Sequence, residues 1–413
     1  MLYNFCSRDS SCTDGSQPQG NLLLGANDNF YGLTVSGGAY AVGTIFEITT
    51  GGILTTLYNF CALRNCADGE VPTQLVRGID GNFYGTTSSG GLYTYGTFFK
   101  ITPTGTLTTL SHFQSTATYP SAGLMQASDG NFYGTNSGIV GDYGEIIKLT
   151  PAGKVTTVHA FCSKGYTCPD GADPFGTLLQ AADGNLYSTT AFGGTTNFGT
   201  IFKISAGGTL TTLHNFCPQS NCIAGGNTIT GLLQATDGNF YGVTAYGGTG
   251  TNVHCNGNCG TIFRITRAGS LTVLHDFCSQ GGTSCTDGYN PLIPSPALTQ
   301  AKNGLIYGTT VQGGDNTLCF SAGCGTVFSL SLGLNPFIEA VPTFGETGST
   351  VSLLGNSLTG TSTVTFNGTT ATFTVVSDTN IQAQVPAGAT TGTIAVTTPS
   401  GTLSSNAPFH IVK

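Results

Sequence analysis

Tryptophan is missing from this 413-residue chain and methionine occurs twice, but the more informative shortage is of charge. Asp, Glu, Lys and Arg together make up 8% of the residues, and the 12 basic ones form no cluster that could neutralise a phosphate backbone. Nucleic acid is therefore not expected as a partner. No apolar run approaches the roughly 18 to 20 residues that cross a bilayer, so no transmembrane segment is expected. Met1 to Cys6 carries neither the basic region nor the hydrophobic region of an export signal, and if the protein is secreted that signal is missing from this sequence. Also lacking are a G-x-S-x-G elbow, an H-E-x-x-H helix and any pair of acidic residues that stands out as glycosidase machinery. No cofactor and no metal are expected.

What is present is turn chemistry and aromatic mass. The 62 glycines mark a chain rich in turns and poor in helix formers. The 25 Phe and 16 Tyr, within a hydrophobic fraction of 39%, supply enough apolar bulk to argue against disorder. The 14 cysteines fall into near neighbours: Cys6 and Cys12, Cys61 and Cys66, Cys162 and Cys168, Cys217 and Cys222, Cys255 and Cys259, Cys278 and Cys285, Cys319 and Cys324. Where one repeat reads Phe113-Gln114-Ser115 instead of Phe-Cys, the partner cysteine is lost as well, as expected of bonded pairs. Zinc would need ligand sets grouped at tetrahedral spacing, and here each pair sits alone in its own loop. Seven disulfides and an oxidising, extracellular or cell-surface location follow. Each short loop closure is worth of order 2 to 3 kcal/mol.

One motif recurs six times, centred on Tyr31, Tyr84, Tyr133, Tyr187, Tyr241 and Tyr307. A period near 50 residues with several short strands belongs to propellers rather than helical solenoids. In the second copy, strands are expected over about Thr73 to Arg77, Asn82 to Thr87, Gly96 to Thr102 and Leu107 to Phe113, joined by an Asp80-Gly81 turn, a Gly90-Gly91 loop and a Pro103 to Gly105 turn. Alternation in Ile201, Phe202, Lys203 and Ile204 is expected to aim apolar side chains between stacked sheets. The sixth copy lacks its fourth strand, while the chain begins with Leu2-Tyr3-Asn4-Phe5, which matches Leu57-Tyr58-Asn59-Phe60. The expected fold is all-β: a six-bladed β-propeller over residues 1–332, closed by the N-terminal strand, followed by an immunoglobulin-like β-sandwich over 333–413.

The units with DGNFYGTT, GG, GTIFKIT and LTTLYNF resemble the GloVer tandem repeats of bacterial surface proteins, known as choice-of-anchor proteins, over about residues 1 to 332. That resemblance implies architecture and a surface location but brings no site residues. A looser pattern is similar to blades of streptogramin-lyase-like propellers, without a catalytic His/Glu set. Gly345 to Gly348, Val351 to Gly355, Val364 to Gly368, Val385 to Gly388 and Ile394 to Thr397 resemble an IPT/TIG domain, which implies a spacer or contact module.

The loops that carry cysteines and the Gly-Gly loops are expected on one face, the natural binding surface. There Tyr40, Tyr93, Tyr95, Tyr143, Phe198, Tyr246 and Phe320 are candidates for stacking on sugar rings, the alternative being packing between blades. His159, His214 and His275 replace Tyr3 and Tyr58 in the fourth strand and read as structural; His254, beside Cys255 and Cys259, has no counterpart and joins the candidates. Asp14, Asp68, Asp170 and Asp287 each precede a glycine and read as turn residues rather than calcium ligands. The expected function is a non-catalytic extracellular binding or structural protein that engages a polysaccharide, a glycan or further copies of a surface protein. The alternative is a secreted propeller hydrolase or polysaccharide lyase with a site near His254 and Asp315 in the irregular fifth and sixth blades.

Overall fold

The computed structural model describes residues 1–6, 10–25, 27, 29–115, 123–137, 143–163, 168–181, 183–217, 222–249, 259–279, 285–289, 298–314 and 324–412. It divides into two compact units, Met1–Phe161 and Cys162–Lys413. The first unit holds three antiparallel sheets, each a meander of four consecutive strands. They are Ser16–Leu24, Phe30–Ser36, Thr44–Ile48 and Leu54–Asn59; then Glu70–Arg77, Phe83–Ser89, Thr97–Ile101 and Leu107–His112; then Leu124–Gln126, Phe132–Asn136, Glu145–Leu149 and Val155–Ala160. The second unit continues with Leu179–Gln180, Leu186–Thr190, Thr200–Ile204 and Leu210–Asn215, and with Leu233–Gln234, Phe240–Thr244, Thr261–Ile265 and Leu271–Asp276. A sixth sheet has three strands, Leu298–Gln300, Ile306–Thr310 and Thr326–Leu330. Leu2 to Phe5 lies in no strand, so the expected fourth strand of that sheet is not formed. Instead Tyr3 and Phe5 pack by their side chains onto Phe30, Phe46, Ile48 and Leu54 of the first sheet.

Third strands depart from simple alternation. Ile201, Phe202 and Ile204 are all fully buried, and only Lys203 between them reaches solvent. Both faces of an interior sheet are covered by neighbouring sheets, so a period-two pattern leaves few positions for water. Within the first unit the rings of Tyr31 and Phe83 lie 4.4 Å apart, as do those of Tyr84 and Phe132, and within the second Tyr187 and Phe240 are 4.3 Å apart. The aromatic just after a fourth strand meets a third-strand ring of the next sheet, Phe60 on Phe99 and Phe216 on Phe263. Each ring taken fully out of water contributes about 1.5 to 3 kcal/mol, so the repeat's aromatics, with the buried Ile and Leu beside them, hold neighbouring sheets together.

Beyond the sixth sheet, Glu339–Val341, Thr350–Leu354, Asn380–Gln384 and Phe373–Ser377 form one four-stranded sheet in that spatial order. Thr369–Thr370, Thr363–Phe366, Ile394–Thr398 and Gly401–Ser404 form another. Alternate residues of these strands, among them Val351, Leu353, Val364, Phe366, Ile381, Ala383, Ile394 and Val396, share one buried core. Among the described residues the single helical element is a 3₁₀ turn, Arg64–Cys66.

Candidate functional site

Four of the repeats tie two loops together on one edge of their sheet. The amide of Gly38 donates to the carbonyl of Cys12 at 2.9 Å, Gly91 to Cys66 at 2.9 Å, Gly194 to Cys168 at 2.8 Å and Gly314 to Cys285 at 3.0 Å. In these four repeats the second cysteine of the loop thus anchors the Gly-Gly loop. Disulfides join Cys6 to Cys12, Cys61 to Cys66, Cys162 to Cys168, Cys217 to Cys222 and Cys278 to Cys285. Cys259 and Cys324 are disulfide-bonded too, while Cys255 and Cys319 lie outside the described residues. All ten cysteines of the five bonds adopt positive φ, between 35° and 65°. That left-handed conformation costs a non-glycine residue roughly 1 to 2 kcal/mol, and the bonds that follow hold it.

Part of that hold comes from the aspartates. Asp68 is fully buried and accepts from the amides of Ala62 and Leu63 at 2.9 and 3.1 Å and from the Tyr58 hydroxyl at 2.8 Å. Asp14 repeats this with the Cys6 amide and the Tyr3 hydroxyl at 3.1 and 2.6 Å, and Asp287 lies 3.0 Å from Nε2 of His275. Burial, then the bond to Asp68, pushes the Tyr58 phenol far above its ordinary value. The following glycine sits over a buried pair of threonine hydroxyls, Thr87 and Thr97, 3.0 Å apart. A Cβ on Gly69 would stand 2.4 Å from Thr87 Oγ1, and φ there is +102°, so no other residue fits. The Asp-Gly pairs are structural knots. Among the described residues the one grouping compact enough for a cation is Cys61, Cys66 and Glu70, and its two sulfurs are joined to each other.

The Gly-Gly loops of the first, second and fourth copies share one conformation. Ala41, Thr94 and Asn197 all sit near φ +65°, and each loop is held from the fourth strand: Asn59 accepts from the Ala39 amide at 2.8 Å and Asn215 from Thr195 at 3.0 Å. On this fixed backbone Tyr40, Tyr93 and Tyr95 in the first unit are 41 to 52% exposed, as are Phe198 and Tyr246 in the second, both at 43%. Tyr143 is half-buried before the third strand of its sheet. His254, Asp315 and Phe320 lie outside the described residues. Phe192 is a further exposed ring, missed from the sequence although it precedes Gly193-Gly194 as Tyr246 precedes Gly247-Gly248. Aligning the repeats on their glycines would have found it.

The histidines are not equivalent. His159 and His275 are followed by loops with Asp170 and Asp287, but the loop after His214 has Ala224 at that position. His214 Nε2 is buried without a hydrogen-bond partner, and burial holds its pKa below the ordinary value.

A family model described as the Gloeobacter/Verrucomicrobia repeat matches residues 1–171, 72–317 and 165–375. The chain belongs to this repeat family. No curated protein matches it. Among solved structures it is similar to a protein assigned as a gluconolactonase, at 12% identity and a TM-score of 0.39 over 78% of this chain and 90% of that one. A Xanthomonas campestris gluconolactonase follows at 11% identity and a TM-score of 0.36, covering 73% of this chain and 84% of that one. A Bifidobacterium bifidum protein assigned as an exo-β-1,3-galactanase has 16% identity and a TM-score of 0.35, covering 67% and 97%. In this repeat family member, aromatic side chains decorate loops that a common set of bonds holds in place.

Proposed function

We propose that the protein is an extracellular or cell-surface recognition protein whose sheets are blades of a propeller-type array and whose disulfide and Gly-Gly loops bind saccharide by ring stacking. The observation that carries this reading is the set of aromatic rings, exposed by about two-fifths or more, on loops whose backbone is already fixed. An exposed ring on a rigid loop loses little entropy on binding, and its apolar face matches the C–H face of a pyranose. The buried loop carboxylates support a non-catalytic role, because Asp14 and Asp68 are engaged in holding the loops. The immunoglobulin-like reading of residues 333–413 fits a spacer or contact module attached to such an array.

The test is a glycan and plant-polysaccharide binding screen on the oxidised full chain, with reducing-end and unsaturated-product assays on the same samples. Binding without product, weakened about tenfold by the Y93A/Y95A double variant, supports the reading. Product formation overturns it in favour of a hydrolase or lyase.

A further inference from the structure

On the edge opposite the cysteine loops, the second unit contains a cleft of about 710 Å³ between the fifth sheet and the C-terminal hairpin of Ile394–Thr398 and Gly401–Ser404. Its floor is the turn around Thr236 and Gly238, one wall is Arg267 and the other runs from Ser400 to Asn406. The walls are held in place by the segment between them. Thr236 Oγ1 donates to the Asn335 carbonyl at 3.2 Å, the Phe337 amide to the Lys302 carbonyl at 3.3 Å, and Lys302 pairs with Glu339 at 3.2 Å.

Arg267 breaks the repeat. The equivalent position is Thr50, Pro103, Pro151 or Ala206 in the first four copies, and only where the C-terminal sheets approach does a guanidinium appear. In a chain of 12 basic residues and net charge −8 this is a rare cation, and no acidic residue lines the cleft with it. Asp183, whose carboxyl it influences from nearby, is engaged by Tyr187 at 2.7 Å and by Asn185. Among the described residues Arg267, the Ser404 hydroxyl and the Asn406 amide make no hydrogen bond to protein, and all three are exposed. Otherwise the lining is threonine, serine, asparagine and backbone.

We propose that this cleft binds an acidic saccharide, with the carboxylate of a uronic acid residue on the Arg267 guanidinium and ring hydroxyls on the Ser404 and Asn406 side. The volume suits a few sugar rings, and a hydroxyl- and amide-lined wall facing one planar cation matches a chain of neutral hydroxyls interrupted by carboxylates. This site is separate from the loop aromatics and stands without them.

The probe is trigalacturonate titrated calorimetrically into the full chain, against α-1,4-galactotriose, in which each carboxylate is a neutral CH₂OH. The expected result is binding of trigalacturonate that is about tenfold or more tighter than the neutral trisaccharide, weakened about tenfold by Arg267→Gln and by raised salt. Ser404→Tyr, which fills the cleft from its other wall, is expected to weaken it as much, while the Y93A/Y95A variant leaves it unchanged. Arg267 is exposed on a turn, so its variant should melt with the parent. Equal affinity in parent and Arg267→Gln, equal affinity for the two trisaccharides, or no binding of trigalacturonate to the parent overturns the proposal.

Discussion

The second and sixth sheets have nearly the same sequence pattern and very different surroundings. Tyr84 is 2% exposed and its counterpart Tyr307 36%; Phe98 is 0% exposed and Val327, at the same register, 79%. Both segments form strands, because alternation and turn residues are local signals. Burial is not local. The second sheet is covered on both faces within its unit, whereas the sixth packs Phe328 against Phe277 on one side and leaves Tyr307 and Val327 open on the other. A repeat array therefore distributes its stability by position, with the largest share where a sheet has two neighbours.

The comparison is tested most severely by paired truncations. Phe98→Ala removes a fully buried ring between two sheets and is expected to cost about 3 to 5 kcal/mol. Val327→Ala, at an open position, is expected to stay within about 0.5 kcal/mol. Urea midpoints of the two variants decide it. Comparable losses would mean that the sixth sheet is covered in solution, as in a closed ring, and would break the contrast drawn here.

A smaller effect separates the two tyrosines. The Tyr84 hydroxyl donates to Asp80 at 2.8 Å, and burial followed by that bond pushes its pKa well above the usual phenol range. Asn303 stands where Asp80 would be in the sixth copy. Tyr84→Phe is expected to lower stability by about 1 to 2 kcal/mol and Tyr307→Phe to leave the thermal midpoint unchanged.

These contrasts separate what a sequence discloses locally from what only the fold brings together. Strands, cysteine pairs and the turn role of Asp14, Asp68 and Asp287 were legible, because spacing and turn chemistry act over a few residues. The first copy hid a compensation: Asn27 replaces the turn aspartate, and Glu47, where other copies have Lys100, Lys148, Lys203 or Arg264, supplies the carboxylate to Asn27, Asn29 and Tyr31 at 2.7 to 2.9 Å. Each substitution looks like noise alone, and only their juxtaposition across the sheet explains them. The burial of both faces of third strands, the side-chain docking of Tyr3 and Phe5 and the cleft beside Arg267 likewise depend on segments far apart in sequence, for which a single chain offers no local signal.

The turn aspartate also sets an acid response that the sixth copy lacks. Burial alone would raise the pKa of Asp129, but hydrogen bonds from Asn131, Lys148 and Tyr133 outweigh it and bring the carboxyl down to about 2. A carboxyl depressed on folding contributes stability that is complete above its unfolded value near 3.9 and is lost as pH falls toward the folded value. With Asp129 partly open to water, the contribution is about 1 kcal/mol. Asp129→Asn is expected to lose it at pH 7 and to show a flatter decline between pH 4 and 2, whereas Asn303→Ala should leave that slope unaltered. Chemical denaturation across this range reads both.

The smallest expected change concerns His214 and His275, which sit in equivalent fourth strands and differ in one loop residue. His275 faces Asp287 at 3.0 Å; His214 faces the loop in which Ala224 stands at that position, and its Nε2 is buried without a partner. The backbone there is already correct, since Gly225 has φ +83° and its amide donates to Cys222 at 2.9 Å, as Gly69 does to Cys66. Because burial depresses the His214 pKa, the unfolded chain binds the proton more readily than the folded one. Stability associated with His214 is therefore complete above the unfolded value near 6.5 and declines as pH falls toward the folded value. Ala224→Asp supplies the missing carboxylate and should raise the His214 pKa, stabilise the chain by about 0.5 to 1 kcal/mol and abolish that decline between pH 7 and 5. Thermal midpoints across that window, with the His214 titration followed by NMR, check it. An unchanged His214 pKa would show that an aspartate at position 224 engages the loop amides without reaching the imidazole.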